Sequence, residues 1–225
     1  MVKFIKVVLF VVSIICSTGS LTAQFGIGGG LSGLYGFGSP KSFGGFHILA
    51  ELPQDDEMSY FGKITYLFPR TDEESYPEYL TNINPMLSGQ TFDMNFSMDY
   101  LLLEGGKRYY IGDGYESGLA GYGSSNIVVI LNTVKKNYSN PDYSLADFNT
   151  ATNSPERGSI FSLGIGLNIG GKYTIPNLNG AFFADLGMNY LLLQPMVSNA
   201  TANGGSAFFK SLFFNLNIGF RKNLY

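Results

Sequence analysis

The sequence predicts an all-β fold: a transmembrane, antiparallel, up-and-down β-barrel of eight strands. Three observations lead to this prediction. Apolar residues recur at every second position in several segments, and glycine, serine and asparagine fill many of the alternate positions. These segments are about ten residues long, which is the length that a tilted strand needs to cross a bilayer. The mature chain has no run of apolar residues long enough for a membrane-spanning helix.

Residues 1–23 are predicted to be a cleaved signal peptide. Lys3 and Lys6 precede a short apolar run, and Ala23 offers a small residue at the cleavage point before Gln24. Cys16 is the only cysteine, so cleavage leaves no disulfide and no thiolate metal site. A lipoprotein signal would have a small residue directly before Cys16, but Ile15 is there, so a lipoprotein is not predicted. Residues 24–225 are therefore predicted to form one exported domain.

Composition and charge indicate that the chain does not bind nucleic acid. The chain holds 29 Gly, 19 Phe and 15 Tyr but no Trp, and only 14% of its residues are charged. Removing Lys3 and Lys6 changes the formal net charge from -3 to -5. Nucleic acid as a partner is not expected, because it requires basic patches.

A glycine run near the start, FGIGGGLSGLYGFG, contains the spacing G-x-G-x-x-G at positions 28–33. A dinucleotide site would also need a preceding strand, a following helix and an acidic residue about 20 positions on. The sequence around the glycine run does not combine these three features, so a dinucleotide site is not predicted. Instead, alternation directs Ile27, Leu31 and Tyr35 outwards and places glycine inside a narrow barrel, where large side chains cannot all fit. No cofactor is expected.

Eight segments follow this pattern, and an even number places both termini in the periplasm. In the fourth segment, the even-numbered residues from Phe92 to Leu102 are apolar and are predicted to face lipid. Connection 104–118 is long for a periplasmic turn. It is interpreted either as an extension of the fourth strand past a bulge or as an extra short strand, and a ten-stranded barrel is the alternative. The predicted strands are 25–37, 43–52, 59–68, 91–103, 119–134, 159–170, 180–193 and 207–221.

The same alternation directs seven ionisable side chains into the interior: His47, Glu51, Lys63, Asp93, Asp99, Asp185 and Arg221. We interpret them as a filled interior of paired charges, because an unpaired buried charge is costly. A transport or catalytic site is the competing hypothesis. One histidine and scattered acids lack metal-ligand spacing, so no metal is expected. A catalytic triad would require a serine beside His47, and the sequence cannot name one.

Aromatic residues on the outward face are predicted to form a girdle at the membrane interface. The candidates are Tyr35, Tyr60, Tyr100 and Tyr190.

The closing segment FFNLNIGFRKNLY carries a family resemblance. With the alternating strands before it, residues 24–225 resemble small bacterial outer-membrane β-barrels. In that family the last strand is read by the barrel-assembly machinery through alternating apolar residues and a C-terminal aromatic residue. Here the matching positions are Phe214, Leu216, Ile218, Phe220 and Tyr225, although residues 221–224 interrupt the alternation.

The resemblance implies an integral outer-membrane location, in contact with outer-membrane lipid and lipopolysaccharide. The Ala23–Gln24 junction and the Gly- and Tyr-rich strands are similar to barrels of bacteria that use type IX secretion. Such barrels often serve beside larger outer-membrane machines. The expected function is thus a non-enzymatic structural or accessory subunit that binds protein partners through its loops or outer wall. A narrow channel for small solutes is the alternative, and a lipid-modifying enzyme is the third hypothesis.

Overall fold

The computed structural model describes residues 25–36, 42–76, 92–116, 118–139, 157–193 and 211–224. In these ranges no helix has the length and apolar character needed to cross a membrane. A short 3-10 turn, Pro176–Leu178, precedes the seventh strand. The strands are β1 Phe25–Gly36, β2 Ser42–Pro53, β3 Met58–Tyr76, β4 Phe92–Gly112, β5 Leu119–Ser139, β6 Arg157–Ile175, β7 Gly180–Leu193 and β8 Leu212–Leu224.

Each strand pairs with its neighbour in sequence, and β8 returns to β1, so the sheet is a closed barrel of eight strands. The seam between β1 and β8 is antiparallel, from Phe25 opposite Leu224 to Gly36 opposite Phe213. The predicted fold class is confirmed, and the ten-stranded alternative is wrong.

The barrel has a marked stagger. The partner of Gly26 on β2 is Glu51, and the path of paired residues then crosses every strand and returns to β1 at Gly36, ten residues further along. Such a stagger tilts the strands by about 40° from the barrel axis. Rows of paired residues therefore climb around the wall, away from the end that holds the tight turns.

The middle strands are longer than predicted. β4 continues to Gly112 and pairs with β5 without a register shift, so most of connection 104–118 is strand. The only irregularity along β4 lies on its other side, in β3, between Leu67 and Arg70. The extension of the fourth strand is therefore correct, and the extra short strand is not formed.

The outer wall is apolar and ends in aromatic residues at both rims. Aliphatic side chains such as Leu31, Ile64 and Ile218 are exposed along the middle of the strands. Tyr60, Tyr109, Tyr173 and Phe182 are exposed near the tight turns, and Tyr35, Phe46, Phe68 and Tyr190 are exposed towards the long connections. This arrangement is that of transmembrane barrels.

Two predictions about β4 are wrong. Met98, Tyr100 and Leu102 point into the interior, where Tyr100 is 2% exposed, so Tyr100 is not a girdle residue. Asp99 has the opposite orientation and lies partly exposed on the outer side, so it is not an interior charge. The physical reason is that this end of the interior is apolar, which reverses the expected assignment of faces.

Several inward glycines allow neighbouring backbones to lie close together. A Cβ atom on Gly30 would lie 2.0 Å from the carbonyl oxygen of Ile218 on β8. By contrast, Gly33 on the same strand faces outwards, and its Cβ position has no atom within 4 Å. Glycine is thus required at Gly30 for close approach of the strands, and not at Gly33.

Candidate functional site: the barrel interior

The interior divides into two layers. At the end with the tight turns it holds charged and polar side chains. Towards the long connections it holds a buried apolar cluster, hereafter the apolar layer: Leu34, Phe43, Leu67, Met98, Tyr100, Leu102, Val128, Ile130, Leu191 and Phe213. A barrel of eight strands is just wide enough for side chains to fill its interior.

Glu51 is the centre of the charged layer and is fully buried. Its Oε2 accepts hydrogen bonds from Arg221 Nη1 at 2.7 Å and from Arg108 Nη1 at 3.0 Å. Its Oε1 accepts hydrogen bonds from Ser59 Oγ at 2.5 Å and from the hydroxyl of Tyr110. Both carboxylate oxygens are therefore used, which is what a buried charge requires.

Arg108 connects this carboxylate to a second one. Its guanidinium lies 3.7 Å from Asp185 Oδ2 and stacks over the ring of Tyr122 at 4.1 Å. Asp185 also accepts hydrogen bonds from the Tyr122 hydroxyl at 3.0 Å and from Asn217 Nδ2 at 2.6 Å. The two arginines and the two acids thus form one buried network with balanced charge.

A separate ion pair lies beside the network. Lys63 Nζ is 2.9 Å from Glu104 Oε2, and both side chains are buried. Glu104 also accepts a hydrogen bond from Asn126 Nδ2 at 3.1 Å. Lys63 therefore has a direct partner outside the set of interior charges predicted from the sequence.

The turn between β4 and β5 closes the charged end. Tyr115 in this turn is completely buried, and its amide donates to the carbonyl of Asp56 at 2.8 Å. Its own carbonyl accepts from Lys172 Nζ at 3.0 Å and from Arg221 Nη2 at 3.2 Å. The Arg221 guanidinium lies 3.9 Å from the centre of the Tyr115 ring. Burial raises the pKa of the Tyr115 hydroxyl, so this ring remains neutral.

His47 has a serine neighbour, but the hydrogen bonding is that of a structural contact. Asn217 Nδ2 donates to Asp185, which turns Asn217 Oδ1 towards Ser32. Ser32 Oγ donates to that oxygen at 2.7 Å and lies 2.8 Å from His47 Nδ1. Because the Ser32 hydroxyl donates to Asn217, the tautomer of His47 that carries its proton on Nδ1 satisfies the contact with Ser32 Oγ. A catalytic serine would instead donate to the histidine.

Five of the predicted interior residues are buried inside the barrel: His47, Glu51, Lys63, Asp185 and Arg221. Glu51 and Arg221 are in direct contact, whereas Lys63 pairs outside this set. Asp99 lies on the outer side, and the side chain of Asp93 is outside the described residues. In the described part of the chain, no group of three or more His, Cys, Asp or Glu residues is placed to hold a metal ion.

Five further residues of the interior were not predicted from the sequence: Glu104, Arg108, Tyr110, Tyr115 and Lys172. A signal for four of them was present. Glu104, Arg108 and Tyr110 continue the even-numbered face of β4, as they would if this strand ran through the predicted turn. Lys172 similarly continues the even-numbered face of β6.

The candidate assembly signal is partly described. Phe214, Leu216, Ile218 and Phe220 share the outward face of β8, where Leu216 and Ile218 are exposed. Tyr225 lies outside the described residues.

No protein-family model matches the chain, and no curated protein matches it. Several solved structures are similar to it. The Neisserial surface protein A (NspA) has 14% identity and a TM-score of 0.47, over 92% of this chain and 99% of that one. A major outer membrane protein from Thermus thermophilus has 15% identity and a TM-score of 0.48, over 91% and 100%. The outer membrane protein OprG from Pseudomonas aeruginosa has 14% identity and a TM-score of 0.41, over 90% and 96%.

Proposed function

We propose that this chain is an integral outer-membrane β-barrel that acts as a non-enzymatic structural or accessory subunit. Its termini lie in the periplasm, and its loops or outer wall bind protein partners within a larger outer-membrane complex. The barrel-assembly machinery inserts it, using the apolar face of β8 and Tyr225.

The filled interior is the observation that carries this proposal. The charged layer contains side chains that are paired with one another, and the apolar layer lies across the path between the two ends. An ion entering the barrel would have to break the Glu51 network and then cross apolar side chains, and both steps cost free energy. The interior thus favours a structural role over a channel.

The outer wall supports the membrane location. Exposed aliphatic side chains cover the middle of the strands, and exposed aromatic side chains lie at both rims. A soluble protein rarely exposes so large an apolar surface, whereas a lipid-facing wall requires one.

Conductance in a planar bilayer tests the proposal against the narrow channel. The purified, refolded chain is added to the bilayer, and insertion is verified by protease protection of its strands in vesicles of the same lipid. We expect no steady current above that of the lipid alone. A steady open pore would support the channel and contradict the structural role.

A detergent pull-down from native membranes tests the accessory role. The chain carries a tag at its C-terminus, and the control is an unrelated tagged outer-membrane barrel of similar abundance. We expect a larger outer-membrane assembly to be recovered with this chain and not with the control. Recovery of the barrel alone in mild detergent would contradict an accessory role.

A further inference from the structure

We propose that the outer wall carries a binding groove for an anionic phospholipid, with one acyl chain along the groove and the phosphate at Lys107. This inference rests on the proposed membrane location. The groove has a volume of about 590 Å³ and lies across β4 to β8. That volume is in the range of pockets that hold small organic ligands.

Two neighbouring rows of outward side chains form the walls of the groove. Register places Gly105, Ile127, Ile165 and Tyr190 in one row, because each is paired with the next across successive strands. The second row is Lys107, Ser125, Leu167 and Met188, which are paired in the same way. Both rows climb away from the tight turns, so the groove has a lower end at Lys107 and an upper end at Tyr190 and Leu212.

Small residues create the space at the lower end. Gly105 and Ser125 stand where neighbouring positions on the wall carry isoleucine, leucine or methionine. At Gly105, a Cβ atom would have its nearest neighbour at 3.8 Å, so the strand itself does not require glycine there. The absence of a side chain at Gly105 opens the groove.

Lys107 gives the groove one charged end. Its side chain is exposed on the outer wall and lines the lower end of the groove, and its Nζ lies 5.1 Å from the centre of the ring of Tyr60 on β3, just beyond the edge of the groove. Tyr60 and Tyr109 belong to the aromatic residues near the tight turns, which mark the level of the lipid headgroups. The long lysine side chain thus brings its ammonium group to that level, as snorkelling residues do.

The groove has one charged end and is otherwise apolar, which matches the chemistry of an anionic phospholipid. A lipid phosphate at the headgroup level is the counter-charge that Lys107 would meet on a membrane-facing wall. Above it, the groove presents Ile127, Leu167 and Met188, which suit a fatty acyl chain. A helix from a partner protein would bury the same apolar side chains, but it would not require an anionic group at Lys107.

Native mass spectrometry of the refolded barrel tests this inference. The protein in detergent is titrated with a phosphatidylglycerol and, separately, with the phosphatidylcholine that has the same acyl chains. We expect tighter binding of phosphatidylglycerol and a loss of about fivefold in its affinity in Lys107→Gln, as for one lysine near a charged lipid. Lys222→Gln is the matched control, because Lys222 is an exposed lysine on β8 outside the groove.

A second pair of variants tests the groove itself. Gly105→Leu fills it and should weaken binding of both lipids, whereas Gly33→Leu adds the same side chain to open wall elsewhere. Equal affinities for the two lipids, or equal losses in each variant and its control, would overturn the inference. Failure of the wild-type chain to insert into vesicles would instead contradict the membrane location, so the two failures are distinguishable.

Discussion

Arg221 on β8 and Glu51 on β2 form a buried ion pair of 2.7 Å, although 170 positions separate them in the sequence. Together with Arg108 from β4, this contact joins three strands across the inside of the barrel. The carboxylate of Glu51 is thus shared between two cations that have been removed from water.

The first prediction concerns Glu51. Glu51→Ala leaves Arg108 and Arg221 without their shared carboxylate, and breaking a buried ion pair in this way costs about 3–5 kcal/mol. We expect the free energy of unfolding in urea, measured in detergent micelles, to fall by that amount. Glu57→Ala is the control, because Glu57 is an exposed acid in the turn before β3. Similar losses in both variants would contradict the role of the network.

The second prediction concerns the close approach of β1 and β8. Gly30→Ala would place a Cβ atom 2.0 Å from the Ile218 carbonyl oxygen, so the backbones would have to separate. We expect a severe loss of folded protein, measured as the fraction that shows the faster mobility of an unheated barrel on a denaturing gel. Gly33→Ala on the same strand meets no atom within 4 Å and should fold with the wild-type yield. Equal yields of the two variants would show that the strands do not approach so closely.

The third prediction compares two adjacent leucines on β7. Leu191 is 4% exposed within the apolar layer, whereas Leu192 is 55% exposed on the outer wall. Leu191→Ala should lower the free energy of unfolding by about 2–5 kcal/mol, because it leaves a cavity in a packed interior. Leu192→Ala should cost less, about 1 kcal/mol, because surrounding lipid refills the space. The reverse order would mean that the faces of β7 are wrongly assigned.

The fourth prediction tests the hypothesis of a lipid-modifying enzyme. His47→Ala and Ser32→Ala each remove one partner of a buried hydrogen bond, which costs about 1–3 kcal/mol for the group left unpaired. We expect both to reduce stability and neither to change the lipid A species that mass spectrometry detects in producing cells. A change in lipid A that both variants share, at unchanged barrel abundance, would support catalysis by this pair.

The number of strands and most of their orientations could be predicted from alternation. On β6 and over most of β7 the two faces differ clearly, because the outer face meets lipid while the inner face carries mainly small or polar groups. Residues such as Ile165 and Asp185 therefore lie on the predicted sides of the wall. This reasoning depends on a clear difference between the two faces.

That difference is lost on the upper part of β4. There the interior is apolar, so Met98 and Leu102 fill it, and Asp99 lies on the outer side near the rim. Local alternation alone gives the opposite orientation. The correct orientation follows when β4 is extended to Gly112, because its even-numbered face then carries both Glu104 and Arg108, which are buried on the same side as Met98.

The contacts within the interior could not be predicted. Side chains such as Glu104 and Lys63 meet because the register between β3 and β4 pairs their positions. That register depends on the stagger of the whole barrel and on the irregularity between Leu67 and Arg70. Neither is visible in the composition of a single strand.

The pairing of β1 with β8 means that the barrel cannot close before the last strand is available. Until β8 has been synthesised, β1 keeps a row of unpaired amide and carbonyl groups, and hydrocarbon offers these groups nothing to bond. A nascent or truncated chain that lacks its final strand therefore cannot rest in the bilayer as a partial sheet. Closure of the sheet is consequently all-or-none, because β1 loses its row of unpaired groups only when β8 is present to pair with it.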